Sequence, residues 1–256
     1  MASAGAATVE KALDVLFHLH DAESAMGLGE IGRALDLPKS SCHRLLASLL
    51  SREMVERDDA GHYRPGLALL SLGIGAQGRE PVVRAARLVL EEEATALGET
   101  VFVVGMRSGQ LRVLDKFEGS GFLRAAPGIG DVVPGDVTAA GKLYRVFGDS
   151  PIASGLSEPG SDAVITDAEE MAIRRSGYAI NRDAWIDGLS VLGVPVWQRV
   201  GGGGQQRMVA ALALAAGSAR FDTLGEEPVA RRLLAAADRV ADRLGVRLPM
   251  PRRKRK

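Results

Sequence analysis

The fold turns on the stretch LPKSSCHRLLASLL, Leu37 to Leu50. Its apolar residues Cys42, Leu45, Leu46 and Leu49 recur at i, i+3, i+4 and i+7, one face of an α-helix. The opposite face carries Ser40, Ser41, Arg44 and Ser48, with Lys39 leading in and His43 at the margin. A solvated surface helix is normally rich in Glu and Lys, yet no acidic residue occurs between Leu37 and Ser51. Hydroxyls and cations without carboxylates suit DNA. A major groove admits one α-helix, with phosphates as walls and base edges as floor. Serine hydroxyls near a helix N-terminus reach phosphate oxygens, aided by free backbone N–H groups, and arginine grips guanine O6 and N7 bidentately.

Working outward, apolar spacing predicts a helix over residues 8–20 with Thr8 as N-cap, and a short helix over 28–35. Pro38 suits the first position of the third helix, which runs to about residue 52. Residues 54–57 and 62–64 read as two strands joined by the turn formers Asp58-Asp59-Ala60-Gly61. Three helices followed by a hairpin is the order of a winged helix-turn-helix. A further helix over 67–72 is expected to give way at Gly73, Gly75 and Gly78. The expected division is therefore a winged helix-turn-helix at 1–78, a second domain at 79–248 and a basic tail at 249–256.

The second domain has a different texture. Residues 82–97 make an amphipathic helix ending at Gly98. Strand-like segments at 100–107 and 111–118 meet at Ser108-Gly109, and a glycine-rich loop at 127–135 precedes a helix over 138–147. Residues 149–161 read as loop, 167–176 as a helix closed by Gly177, and 189–199 and 208–216 as strands around Gly201–Gly204. A last helix spans about 227–244. This order fits an α+β fold, an antiparallel sheet with flanking helices.

Composition narrows the function classes. Of 256 residues, 46% are hydrophobic, enough for a core. The 32 basic and 32 acidic residues cancel, and residues 1–66 carry seven Lys/Arg against ten Asp/Glu, so a DNA signal has to be local. The single cysteine, Cys42, rules out an internal disulfide and reads as a small core residue rather than a redox switch. His18 and His20 fall at a helix end, where they favour the dipole. No His or Cys follows Tyr63, which excludes a Ser-His relay, a Cys nucleophile and a His-rich metal site there. The pairs Asp115/Glu118 and Asp131/Asp136, and Lys142, have no accompanying motif. Gly201–Gly204 lacks the following helix and Lys-Ser/Thr of a phosphate loop. No enzyme, metal or cofactor is expected. Neither a signal peptide nor a run of roughly 20 apolar residues is evident, so a soluble cytoplasmic protein without membrane contact is expected.

Three motifs in the first domain carry a resemblance: Thr8-Val9-Glu10-Lys11-Ala12-Leu13-Asp14-Val15-Leu16, the run Leu37 to Leu46, and Tyr63-Arg64-Pro65-Gly66. Downstream, Gly98-Glu99-Thr100-Val101, Leu114 to Glu118, Thr138-Ala139-Ala140-Gly141-Lys142, Ser176-Gly177-Tyr178, Gly188-Leu189 and Pro195-Val196 follow in order. The set resembles an IclR-type transcriptional regulator over nearly the whole chain. The resemblance implies a winged helix-turn-helix linked by a helix to a GAF-like effector domain. It implies a homodimer or homotetramer on palindromic double-stranded promoter DNA. It also implies that Lys39, Ser40, Ser41, His43, Arg44 and Ser48 serve the recognition helix, while Arg57, Tyr63 and Arg64 hold the wing against the backbone. A regulator acting through protein contacts without DNA stands as the alternative. Arg252 to Lys256 reads as a solvated tail or as an added, sequence-blind attraction for phosphate.

By the same resemblance an effector pocket involves Arg124, Ala139, Ala140, Asn181, Trp185, Val191, Ala213 and Ala215. Several of these depart from the family pattern. Asn181 stands where an acidic anchor is common, Val191 where a cysteine is frequent, and Ala213 and Ala215 where hydroxyls occur. The usual Leu-His is Gly135-Asp136. A buried unpaired carboxylate costs several kcal/mol, so so few polar side chains predict a larger, weakly polar effector, with Trp185 near it. The competing reading is that these positions are packed as core and bind nothing.

Overall fold

The computed structural model describes residues 4–121, 127–148, 165–200 and 205–245. Its compact units divide between Arg79 and Glu80.

The first unit contains α1 (Ala4–Asp21), α2 (Leu28–Ala34), α3 (Lys39–Leu50), a hairpin of β1 (Val55–Arg57) and β2 (Tyr63–Pro65), and α4 (Leu67–Gln77). The apolar stripes converge on one core of Val15, Leu19, Ile31, Cys42, Leu46, Val55 and Tyr63. Cys42 is fully buried there, and burial pushes its thiol up from the ordinary value, as a packed rather than a reactive group requires. Between α2 and α3 the backbone turns at Asp36, whose φ of 50° is left-handed, and the Leu37 N–H returns to the Gly32 carbonyl at 2.8 Å. Aspartate tolerates that conformation better than most side chains. Pro38 is the N-cap of α3 rather than its first residue.

Two further expectations change in this unit. Thr8 does not cap α1, which begins four residues earlier at Ala4. Residues 4–7 already belong to the helix, so Thr8 is interior to it. Likewise α4 passes through Gly73 and Gly75 to Gln77. Glycine disfavours a helix by about 1 kcal/mol without forbidding it.

The second unit opens with α5 (Pro81–Leu97). A five-stranded antiparallel sheet follows, made of β3 (Thr100–Arg107), β4 (Gln110–Phe117), β5 (Ala179–Arg182), β6 (Leu189–Val200) and β7 (Gln205–Gly217) in the order β4-β3-β7-β6-β5. The β3–β4 turn is Ser108-Gly109, both with positive φ, as a two-residue hairpin needs. Strand alternation splits the sheet into two faces. Val101, Val103, Leu192, Val194, Leu212 and Leu214 face a core shared with α5 and α9 (Glu226–Gly245). Phe102, Val104, Leu189, Val191, Ala211, Ala213 and Ala215 face a second core with α6 (Ala139–Phe147).

The remaining helices are α7 (Asp167–Ser176) and α8 (Ser218–Leu224). No pattern in the sequence announces α8, because it has two turns and a single buried side chain, Phe221. Where α5 meets α9, buried Glu93 accepts from Arg239 at 2.6 Å and from Arg232. The predicted loop at 149–161, the glycine tip at 201–204 and the basic tail all lie outside the described residues.

Candidate functional site

Helix α3 divides as its apolar spacing requires. Cys42, Leu45 and Leu46 are buried, while Lys39, Ser40, His43, Arg44 and Ser48 are exposed and Ser41 is half-buried. Nothing acidic lies in the first turn of α3. Arg44 makes only a long contact, 3.4 Å from its Nη2 to Ser41 Oγ, and Ser48 Oγ donates to the Arg44 carbonyl at 3.0 Å. Neither Lys39 nor Arg44 pairs with a carboxylate among the described residues. Arg52, just beyond the helix, is likewise exposed and unpaired among them. Sequence reasoning passed over Arg52 as a contact, because the helical pattern ends before it.

The hairpin is less available than expected. Tyr63 is 4% exposed and belongs to the core, so it offers no hydroxyl to a phosphate; this corrects its assignment to the wing surface. Register is the reason. Tyr63 pairs with Arg57 across the hairpin and bridges to Met26, which turns its ring inward under the Arg57 guanidinium, 5.4 Å away. Arg57 Nε donates to the Gly61 carbonyl at 3.0 Å, shaping the turn, yet the side chain stays exposed. Arg64 is exposed and paired with Glu56 at 2.6 Å. Such a surface pair is worth about 0–1 kcal/mol, little enough for a phosphate to displace the carboxylate.

In the second unit a cleft opens between the α6 face of the sheet and the loop before α6. It is narrow, with room inside for about one water, and its accessible walls are apolar. Ala139, Ala140, Asn181, Trp185, Val191 and Ala213 line it. Ala215 does not; it lies buried on the same face, paired with Thr100 and Val191, one step along the strand. Arg124 lies outside the described residues. The sequence reading missed Phe102, Pro127, Val133, Thr138 and Leu189. Phe102 sits opposite Ala213 in the β3–β7 register, a pairing that no local signal reports.

Thr138 fixes the start of α6. Its Oγ1 donates to the Pro134 carbonyl at 2.5 Å and accepts from the Gly141 N–H at 3.2 Å. A side chain at Gly141 would lie 2.2 Å from the Gly135 carbonyl oxygen, so only glycine lets that loop close on the helix. The Lys142 amine is held by Glu169 at 2.7 Å and the Ile180 carbonyl at 2.9 Å. Asp115 is buried beside Arg87 at 3.3 Å.

Residues 8–59 match the IclR helix-turn-helix domain, and residues 75–242 match the family described as bacterial transcriptional regulator IclR C-terminal. The chain belongs to the IclR family of bacterial transcriptional regulators. Among its IclR relatives, the DNA-binding transcriptional repressor YiaJ of Escherichia coli K12 is 27% identical over 256 residues, covering 94% of this chain and 89% of YiaJ. The solved IclR of Thermotoga maritima superposes with a TM-score of 0.77 at 22% identity, covering 93% of this chain and 99% of that one. An IclR homolog from Microbacterium hydrocarbonoxydans, solved in complex with 4-hydroxybenzoate, gives a TM-score of 0.71 at 19% identity, with 93% and 98% covered. Like its IclR relatives, the chain is a DNA-binding transcriptional regulator. Among the described residues no helix is long and apolar enough to cross a membrane.

Proposed function

We propose that this regulator inserts α3 into the DNA major groove and couples that contact to a small effector held in the cleft. Arg44 reads a guanine edge, and His43 and Ser48 border it. Lys39, Ser40 and Ser41 grip phosphate at the helix start, and Arg57 and Arg64 steady the wing on the backbone. The observation that carries the reading is the outward face of α3, where Lys39 and Arg44 stand exposed with no carboxylate partner among the described residues. A ligand-bound neighbour of the same fold supports effector control.

The working form is a homodimer, or a pair of dimers, acting in the cytoplasm on a palindromic site. Two exposed apolar stripes support it: Val9, Leu13 and Phe17 along α1, and Leu67, Leu70 and Ile74 along α4. Phe17 is 64% exposed and Leu67 67%, an unfavourable arrangement in water that a second copy relieves. Paired readers then meet major grooves about 34 Å apart. Effector binding shifts a pre-existing equilibrium between spacings of the two readers.

Footprinting the full chain on its own upstream region, with and without candidate metabolites, tests the scheme. Protection of two half-sites one helical turn apart is the expected result. Uniform protection without half-sites sinks it. Phe17→Glu is expected to shift the chain toward monomer in light scattering.

A further inference from the structure

Two serines at the C-terminal end of α3 have already spent their protons. Ser48 Oγ donates to the Arg44 carbonyl at 3.0 Å, and Ser51 Oγ, just past the helix, donates to the Ser48 carbonyl at 2.8 Å. A hydroxyl has one proton to give, so each keeps only acceptor lone pairs. Both residues are exposed. Arg44 has the opposite character, a guanidinium that can only donate. Ser48 stands one turn beyond it on the same face, about 6 Å along the helix axis. Stacked base pairs are about 3.4 Å apart, so the two side chains are spaced to meet base pairs one or two steps apart. No carboxylate occurs in α3 to take a base amine in place of Ser48.

The floor of the major groove offers donors of one kind, the exocyclic amines at adenine N6 and cytosine N4, where thymine and guanine present a carbonyl oxygen. Resting on the α3 reading above, we propose that Ser48 is a specificity-determining residue that accepts a base amine. Each half-site then carries adenine or cytosine, rather than guanine or thymine, one or two base pairs from the guanine held by Arg44. Ser48 does not separate adenine from cytosine, because a single acceptor senses the amine and not the ring. Serving guanine or thymine would require Ser48 to turn its proton outward and abandon the Arg44 carbonyl.

The full chain, as wild type, Ser48→Ala and Arg44→Ala, is put through selection on a randomised duplex library. Ser48→Ala removes the acceptor and keeps the helix, since alanine is the best helix former. Wild type is expected to enrich adenine and cytosine at one position beside a guanine, and Ser48→Ala to lose that preference while keeping the guanine. A second measurement uses a selected duplex carrying adenine there, with the adenine replaced by unsubstituted purine, which lacks the amine. Wild type is expected to bind the replaced duplex about two- to tenfold more weakly per half-site, the loss of one hydrogen bond, and Ser48→Ala to bind both alike within twofold. A Ser48→Ala profile equal to the wild type's, a Ser48-dependent preference for guanine or thymine, or an equal loss on every sequence overturns the proposal. In those three cases a guanine that disappears from the Arg44→Ala profile leaves the α3 reading standing. A guanine kept in Arg44→Ala, or a library with no preferred sequence, overturns that reading and the proposal with it.

Discussion

Arg44→Ala separates sequence reading from folding. In the free protein the guanidinium is exposed and makes one weak contact, 3.4 Å from Ser41, so its removal is expected to change stability by no more than about 0.5 kcal/mol. On DNA it is expected to hold a guanine edge bidentately, worth about 1–3 kcal/mol of discrimination. A symmetric dimer loses that twice, about 2–6 kcal/mol, which is roughly 30-fold to more than 10,000-fold in affinity for the cognate site. A shuffled duplex of equal composition is expected to lose only a few-fold, from the missing charge. Fluorescence anisotropy of both duplexes at two salt concentrations, with a thermal melt of the variant, makes the measurement. Equal losses on the two duplexes, with a salt slope smaller by about 0.9 per removed contact, would identify Arg44 as a phosphate anchor and refute the base-reading argument. Unchanged affinity for the cognate site would remove α3 as the reading element altogether.

Tyr63→Phe is expected to leave DNA affinity unchanged, because the ring is core, whereas Tyr63→Ala is expected to destabilise the first unit by about 3–5 kcal/mol in chemical denaturation. Gly141→Ala drives a methyl into the Gly135 carbonyl and is expected to cost about 1–3 kcal/mol and to weaken effector response as the start of α6 shifts; calorimetry and a melt check both. Tyr144, whose hydroxyl bridges Met106 N–H and the Val209 carbonyl, has its pKa pushed up to about 12 by burial. The fold thus favours the neutral phenol. Its contribution is full below the ordinary value near 10 and is lost as pH rises toward 12, so stability is expected to fall over that window in the native chain and less in Tyr144→Phe.

Much of the molecule was written locally. The 3.6-residue stripes of α3, α5 and α9 and the turn residues at 58–61 and 108–109 specify their elements within a few neighbours. The Thr138 cap and the glycines at 98 and 177 end or begin helices by satisfying backbone groups on the spot. The exposed face of α3 was legible for the same reason, since a helix with one apolar side has only one side left to show. The short helix α8 escaped because it rests on one buried ring, and the start of α1 because nothing there marks a stop.

Tertiary structure decided what distant segments do to one another. Pairing of β3 with β7 joins residues about a hundred positions apart and sets Phe102 beside Ala213, so the cleft's far wall exists only after the sheet closes. Tyr63 looked like a wing contact until its bridge to Met26 rolled it into the core. Asn181 has its side-chain oxygen committed to the Ala184 N–H, three residues on in the folded loop. Side-chain periodicity is a property of a few consecutive residues and survives in the bare sequence. Which atoms remain uncommitted is a property of the packed chain, because burial and long-range register determine which hydrogen bonds have already been made.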